Sequence, residues 1–149
     1  MRPLVIAIAC LAMTLVLPRT GSAEILITEA EAKLPPSTDV GMTTRGLSRG
    51  PGVEQVSPSP ERGMPSPLPF KIKFIARNNV AIDPASVTVT YLKAQPVDLT
   101  DRIKKHLSTD GIDMANAELP PGTHHLQIRL KDKQDRTSTA TLKLVVAPK

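Results

Sequence analysis

Apolar and polar side chains alternate with period two along most of the second half of the chain. The clearest runs are residues 70–76, 86–91, 126–131 and 139–146, with a shorter one at Val53–Val56. Period-two alternation puts successive side chains on opposite faces of a strand, so each run predicts a strand with one buried face. Because turn-forming residues separate the runs, we expect an all-β, antiparallel sandwich of about seven strands.

The inward side chains of these runs predict the hydrophobic core. They are Phe70, Ile72, Phe74, Val87, Val89, Tyr91, Leu126, Ile128, Leu130, Leu142 and Leu144. A domain of about 100 residues buries roughly 60–65% of the surface that its unfolded chain exposes. A core of this size can therefore hold the domain together without disulfides.

One segment departs from period two. Leu99, Ile103 and Leu107 are four residues apart, which is the spacing of one helical face. We expect one short helical turn there, bridging the two sheets, with Thr100 capping its first amide groups. Residues 112–119 are predicted as a further extended stretch.

The first 23 residues have the pattern of an export signal. Arg2 precedes the apolar run Leu4–Leu17, and Gly21-Ser22-Ala23 places small residues just before Glu24. A charged start, an apolar stretch of about 7–15 residues and a small-x-small end are typical of secretory signal peptides. The apolar run is also shorter than the roughly 20 residues that a membrane-spanning helix needs. We predict a signal peptide over residues 1–23, cleavage after Ala23, and a periplasmic or secreted protein without an integral membrane span.

Proline and glycine crowd the chain after the predicted signal. Residues 34–69 contain eight prolines and five glycines. Proline removes backbone donors and glycine raises the entropic cost of ordering, so regular structure is disfavoured. We predict a flexible or loosely docked arm over residues 24–50 and a β-sandwich domain over residues 51–149. Within the arm, residues 25–32 fit either a short strand or a helical turn.

Composition narrows the chemistry that the protein can carry. Its one cysteine, Cys10, lies inside the predicted signal, so the mature chain would have neither disulfides nor thiolate ligands. Removal of Arg2 and Arg19 with the signal lowers the formal net charge from +5 to +3. That charge is too small for a nucleic-acid-binding surface, and we predict no nucleic-acid partner.

The stretch Pro121–Asp132 (PGTHHLQIRLKD) is similar to the penultimate strand of bacterial immunoglobulin-like (Ig-like) domains. Gly52–Pro58 resembles the first strand of these domains, and Asp83–Val89 resembles the approach to their third strand. The resemblance covers residues 50–147 and extends to small exported, uncharacterised proteins of proteobacteria. It implies an Ig-like sandwich and an envelope location. It implies no activity, because a fold does not by itself supply a function.

Two positions depart from the pattern of that family. His124 stands where such domains often have a tyrosine whose hydroxyl ties down the corner, and Asp135 stands in a turn where glycine is usual. His124 shares parity with Leu126 and Ile128, so we expect its ring to point inward and to hydrogen-bond to backbone. The turn at Asp135 is expected to be looser than in the family.

Sequence motifs for catalysis are not found. The chain contains no H-E-x-x-H and no glycine-rich loop that ends in Lys-Ser or Lys-Thr, and its G-x-S-x-G match, Gly46–Gly50, lies in the predicted arm rather than between a strand and a helix. The composition also offers little material for a deep catalytic cleft. We therefore predict that the protein is not an enzyme and has no cofactor.

A periplasmic copper carrier of sandwich fold is the alternative function. The predicted strand order is similar to that of such carriers, and residues that can ligate soft metals are present: Met42, Met64, Met114, His106, His124 and His125. The specific features of such a carrier are missing, because Glu24 rather than histidine begins the predicted mature chain and no Asp-Gly-His motif occurs near the last turn. Adjacent His124 and His125 point to opposite faces of a regular strand and cannot share one ion. We assign no metal ligands.

An outward-facing polar strip on the last two predicted strands is the candidate site. It consists of His125, Gln127, Arg129, Lys131, Thr139, Thr141 and Lys143, and Thr88 and Thr90 could extend it onto a third strand. Such a strip is either a binding face or ordinary solvated surface. We predict a non-catalytic exported accessory or interaction module of the bacterial cell envelope, with an envelope protein as its partner.

Overall fold

The computed structural model describes residues 21–38 and 49–148, which form a β-sandwich of two mixed sheets. In chain order the elements are β1 (Glu24–Ile25), α1 (Glu29–Ala32), β2 (Gly52–Ser57), β3 (Met64–Pro65), β4 (Leu68–Ile75), β5 (Ile82–Tyr91), β6 (Val97–Asp98), α2 (Thr100–Ile103), a 3-10 turn (Lys104–His106), β7 (Gly111–Glu118), β8 (Gly122–Asp132) and β9 (Thr137–Ala147). One sheet has the strand order β1-β7-β4-β2, and the other has the order β3-β9-β8-β5-β6. Residues 1–20 of the predicted signal peptide lie outside the described residues.

Alternating burial accounts for the long strands. Along β4 the odd-numbered lysines Lys71 and Lys73 are exposed, while Phe70 and Ile72 are buried. Every residue predicted in the core is buried. The core also contains residues outside that predicted set: Leu26, Ile27, Leu68, Ile82, Leu99, Ile103, Ile112, Met114, Ala117, Leu119 and Val146.

The prediction of a wholly antiparallel sandwich is wrong at two sheet edges. β1 runs parallel to β7, and β3 runs parallel to β9. Strand direction follows from how the chain arrives at an edge, which alternation does not encode. The described residues form nine strands rather than about seven, because β1, β3 and β6 are two residues long and too short to show a period.

The described elements include three short helical segments, α1, α2 and the 3-10 turn, rather than the one helical turn predicted. α2 and the 3-10 turn form where the four-residue spacing predicted them, with Leu99 and Ile103 buried. Thr100 does not cap this helix, because Leu99 occupies the N-cap position. Instead Oγ1 of Thr100 accepts a hydrogen bond from the Val89 amide at 3.1 Å, which satisfies a donor at the edge of β5. Within the described residues no helix is long and apolar enough to cross a bilayer.

The start of the predicted arm is packed against the sandwich. β1 extends the sheet beside β7, and Leu26 and Ile27 enter the core. A capping box then begins α1: Oγ1 of Thr28 accepts from the Glu31 amide at 3.2 Å, and the Glu31 carboxylate accepts from the Thr28 amide at 2.9 Å. The sequence predicted a flexible or loosely docked arm, and burial of two aliphatic side chains offsets the entropy of ordering this first part of it. Residues 39–48 of the predicted arm lie outside the described residues.

Arg102 fixes this N-terminal segment to the domain. Its guanidinium donates to the Leu26 carbonyl at 2.8 Å and to both carboxylate oxygens of Glu31 at 2.8 and 2.7 Å. The hydrogen bonds from Arg102 lower the pKa of Glu31 to about 2. Lys93 adds a second anchor, because its ammonium donates to the Ala32 carbonyl at 2.8 Å and to the Leu34 carbonyl at 3.0 Å.

We expect Glu31→Gln to destabilise the domain by about 2 kcal/mol at pH 7 and by much less near pH 2. The folded-state pKa of about 2 lies below the ordinary value of 4.5, so the stabilisation is fully present above about pH 4.5 and is lost as the pH falls through about 2. Urea unfolding of both proteins across this pH range measures the difference. Glu29→Gln, at an exposed carboxylate without an ion pair, is the control and should follow the wild type. An equal difference in the free energy of unfolding at pH 2 and pH 7 would contradict a stabilising role of the ionised Glu31 carboxylate.

Candidate functional site

The outer faces of β8 and β9 carry the predicted polar residues as one continuous surface. We call it the cationic strip: His125, Gln127, Arg129, Lys131, Thr139, Thr141 and Lys143. Cross-strand pairing arranges it in rows, which are His125 with Lys143, Thr90 with Gln127 and Thr141, and Thr88 with Arg129 and Thr139. Directly opposite residues of an antiparallel pair share a face and lie about 5 Å apart, so the strip extends over β5 without a gap.

The exposure of the strip follows the parity of the strands. Arg129, Lys131, Thr139 and Lys143 are exposed, whereas the remaining three members are half-buried. Residues 126, 128 and 130, which alternate with them on β8, are buried. The long side chains of the strip are therefore available to a partner.

The strip carries unbalanced positive charge. Arg129, Lys131 and Lys143 form no ion pair with any described residue. Burial lowers the pKa of His125, and the positive charges of Lys143 and Lys93 lower it further. Lys143 and Lys93 thus place positive charge near this end of the strip.

Two carboxylates border the strip without pairing with its cations. Asp98 on β6 lies opposite Thr90, and Asp83 on β5 lies opposite Lys131. Each accepts a hydrogen bond from a nearby backbone amide, Asp98 from Thr100 at 2.8 Å and Asp83 from residue 85 at 3.0 Å. The local backbone orients both carboxylates, which stay negatively charged, so the three cations of the strip outnumber the two carboxylates at its border.

The turn between β8 and β9 fixes the register of the strip. Asp132 is buried there, and its carboxylate accepts from the Gln134 amide at 2.9 Å and from the amide and Nε of Arg136 at 3.0 and 2.7 Å. Asp135 has a φ of 58°, in the left-handed region that favours glycine. The turn expected to be loose is held by these three hydrogen bonds to one carboxylate.

His124 faces away from the strip, into the core. It is 2% exposed, its Nε2 donates to the Pro120 carbonyl at 2.8 Å, and its Nδ1 accepts from the Tyr91 hydroxyl at 2.8 Å. The predicted inward orientation and backbone hydrogen bond are confirmed. Burial lowers the pKa of His124 and raises the pKa of Tyr91 to about 12, so both groups are neutral at pH 7. Because both ring nitrogens are engaged, His124 has no lone pair left for a metal ion.

The other residues considered for the copper alternative lie on separate elements. Met114 is buried in β7, and Met64 belongs to edge strand β3. His106 lies in the 3-10 turn, and its Nε2 is 2.7 Å from a carboxylate oxygen of Glu24 in β1. Met42 lies outside the described residues. Among the residues that the structure describes, no group of three or more His, Cys, Asp or Glu could hold a metal ion.

Comparison with known proteins identifies no relative of this chain. No protein-family model matches the chain, and neither a curated protein nor a solved structure matches it. The class of protein is therefore defined by its own fold and surface: a β-sandwich whose five-stranded sheet carries a cationic outer face. Any function has to be argued from that surface.

Proposed function

We propose that this chain is an exported, non-catalytic interaction module of the bacterial cell envelope, whose cationic strip binds an acidic segment of an envelope protein. The observation that carries the proposal is the register of β5, β8 and β9, which gathers three unpaired cations onto one exposed sheet face. Complementary charge speeds association and selects among partners. The flanking threonine hydroxyls supply hydrogen bonds around the charged positions.

The spacing of the cations favours an extended polypeptide as the partner. Arg129 and Lys131 are two residues apart on one face of β8, which corresponds to about 7 Å. Alternate residues of an extended peptide have the same spacing. Aspartate or glutamate at alternate positions of a partner segment would therefore lie opposite these two cations and could pair with both.

We also propose the Ig-like relationship that the sequence resemblance implies. The strand orders β9-β8-β5 and β2-β4-β7 correspond to the G-F-C and A-B-E strands of Ig domains. In further support, the chain from β2 to β3 follows β9: Nε2 of Gln55 donates to the Lys143 carbonyl at 3.0 Å, and Met64 pairs with Val146. Export rests on the signal pattern, and the first described strand begins at Glu24, directly after the proposed cleavage site.

Photo-crosslinking in the intact cell envelope tests the proposed interface. We expect a photoreactive phenylalanine at Arg129 to give one discrete adduct, and peptide mapping should locate the crosslink in an acidic segment of the partner. The same group at Lys73 is the matched control, because Lys73 is exposed and unpaired on the outer face of the other sheet. Lys131→Glu should reduce the Arg129 adduct by about tenfold, because it replaces an attraction with a repulsion, while Lys73→Glu should leave it unchanged.

Two results would overturn the proposal. One is a folded and exported protein that gives no adduct from Arg129. The other is an equal yield of adducts from Arg129 and Lys73, which would mean that the crosslinks report general crowding of the envelope. Circular dichroism of each variant establishes that it is folded.

A further inference from the structure

A cleft of about 360 Å³ lies where the N-terminal segment meets the connection between β7 and β8. Residues 25 and 27–29 form one wall, residues 118–121 form another, and Ser66 and Ala147 complete the lining. This volume falls within the range of small-molecule sites, roughly 300–1,000 Å³. None of the strip residues lines the cleft, so it is a separate feature of the molecule.

The lining of the cleft is largely apolar. Ile27 and Leu119, which are both buried, line it together with Pro120 and Pro121. Ile25 is 54% exposed, which makes it one of the few large aliphatic side chains that folding leaves in water. A hydrocarbon group that entered the cleft would remove part of this surface from water.

Most polar atoms that line the cleft already have partners. Oγ of Ser66 accepts from the Leu119 amide at 3.0 Å, and Oγ1 of Thr28 accepts from the Glu31 amide. The Glu118 carbonyl accepts from the Leu26 amide at 2.9 Å. These groups shape the cleft but offer little to a ligand.

The two carboxylates of the lining are different. The side chains of Glu29 and Glu118 form no hydrogen bond or ion pair with any described residue. No basic side chain of the described residues lines the cleft to balance them. The cleft therefore joins an apolar inner surface to uncompensated negative charge.

We infer that this cleft binds a small organic cation, an ammonium group carried on a short hydrocarbon chain. The hydrocarbon chain covers Ile25 and the two prolines of the lining, and the ammonium lies against the carboxylates of Glu29 and Glu118. A neutral ligand of the same length buries the same apolar surface but leaves the carboxylates unpaired. An anionic ligand is repelled by them.

Three six-carbon probes that differ only in charge test this inference: hexylammonium, hexanol and hexanoate. Titrations of the purified protein, followed by amide shifts in NMR spectra, give the affinity and the location of each probe. We expect hexylammonium to shift the amides of Ile25, Ile27 and Leu119 saturably, with an affinity at least tenfold higher than that of hexanol. Hexanoate should give no saturable shifts.

Charge-neutral variants assign the effect to the two carboxylates. Glu118→Gln should weaken hexylammonium binding by about fivefold, and Glu29→Gln should act similarly, which is the upper range for one exposed ion pair. Glu54→Gln is the matched control, because Glu54 is an exposed carboxylate on β2, outside the cleft. Equal affinities for hexylammonium and hexanol, unchanged binding by Glu118→Gln, or shifts confined to other regions would each overturn the inference.

Discussion

The Ile128→Asp variant is expected to lose cooperative unfolding altogether. Ile128 is 0% exposed at the centre of β8, where it lies opposite Val89 on β5 and Ala140 on β9. The substitution removes a core side chain and places a carboxylate where no described group could pair with it. The combined cost is about 5 kcal/mol or more, which is comparable to the whole stability of a typical domain. Thermal unfolding followed by circular dichroism measures the effect.

The neighbouring position supplies the control. Arg129→Asp changes the next residue of the same strand, but Arg129 is exposed and unpaired, so its stability should stay within about 0.5 kcal/mol of the wild type. A sigmoidal transition of Ile128→Asp at the wild-type temperature would contradict the parity of β8. A large loss for Arg129→Asp would mean that this side chain has a structural partner.

Gly111→Ala is the second substitution with a large expected effect. Gly111 begins β7 with a φ of +153°, and a Cβ built there would lie 1.9 Å from the Ile72 carbonyl oxygen. The backbone cannot move away easily, because Gly111 pairs with Lys73 and Ile112 pairs with Ile72 in the middle of the sheet. We expect a loss of more than about 3 kcal/mol in the free energy of unfolding, measured in urea.

Gly122→Ala separates steric overlap from backbone strain. Gly122 begins β8 with a φ of +131°, but a Cβ there would meet nothing within 4 Å. Its replacement should therefore cost only the strain of an unfavourable φ, about 1–2 kcal/mol. If both variants lost the same stability, contact with the Ile72 carbonyl would not be the reason for glycine at position 111.

The long strands could be predicted because parity records which side of a sheet each residue faces. The same parity assigned His124 to the core and Arg129 to the surface. It could not assign partners across strands, because the pairing of Arg129 with Thr88 and Thr139 depends on turn geometry, notably the hydrogen bonds of Asp132. The strip was therefore predictable as a face of β8 and β9, but its rows were not.

The N-terminal segment shows where periodicity stops being informative. Leu26 and Ile27 are adjacent and both buried, a pattern that fits neither a half-buried strand nor a helical face. The segment is held by Arg102, which is far away in the sequence but donates to the Leu26 carbonyl. The cleft is also formed by residues that are far apart in the sequence, since Glu29 and Glu118 both line it. No local signal in the sequence relates the two.

The contact between Tyr91 and His124 also makes the intrinsic fluorescence of the protein a probe of one site. The chain has one tyrosine and no tryptophan, so its intrinsic tyrosine emission comes from this ring. The ring is fully buried and its hydroxyl donates to Nδ1 of His124, so unfolding transfers a single chromophore from the core to water. Emission spectroscopy of the unlabelled protein can therefore follow one named corner of the sandwich, without averaging over several rings.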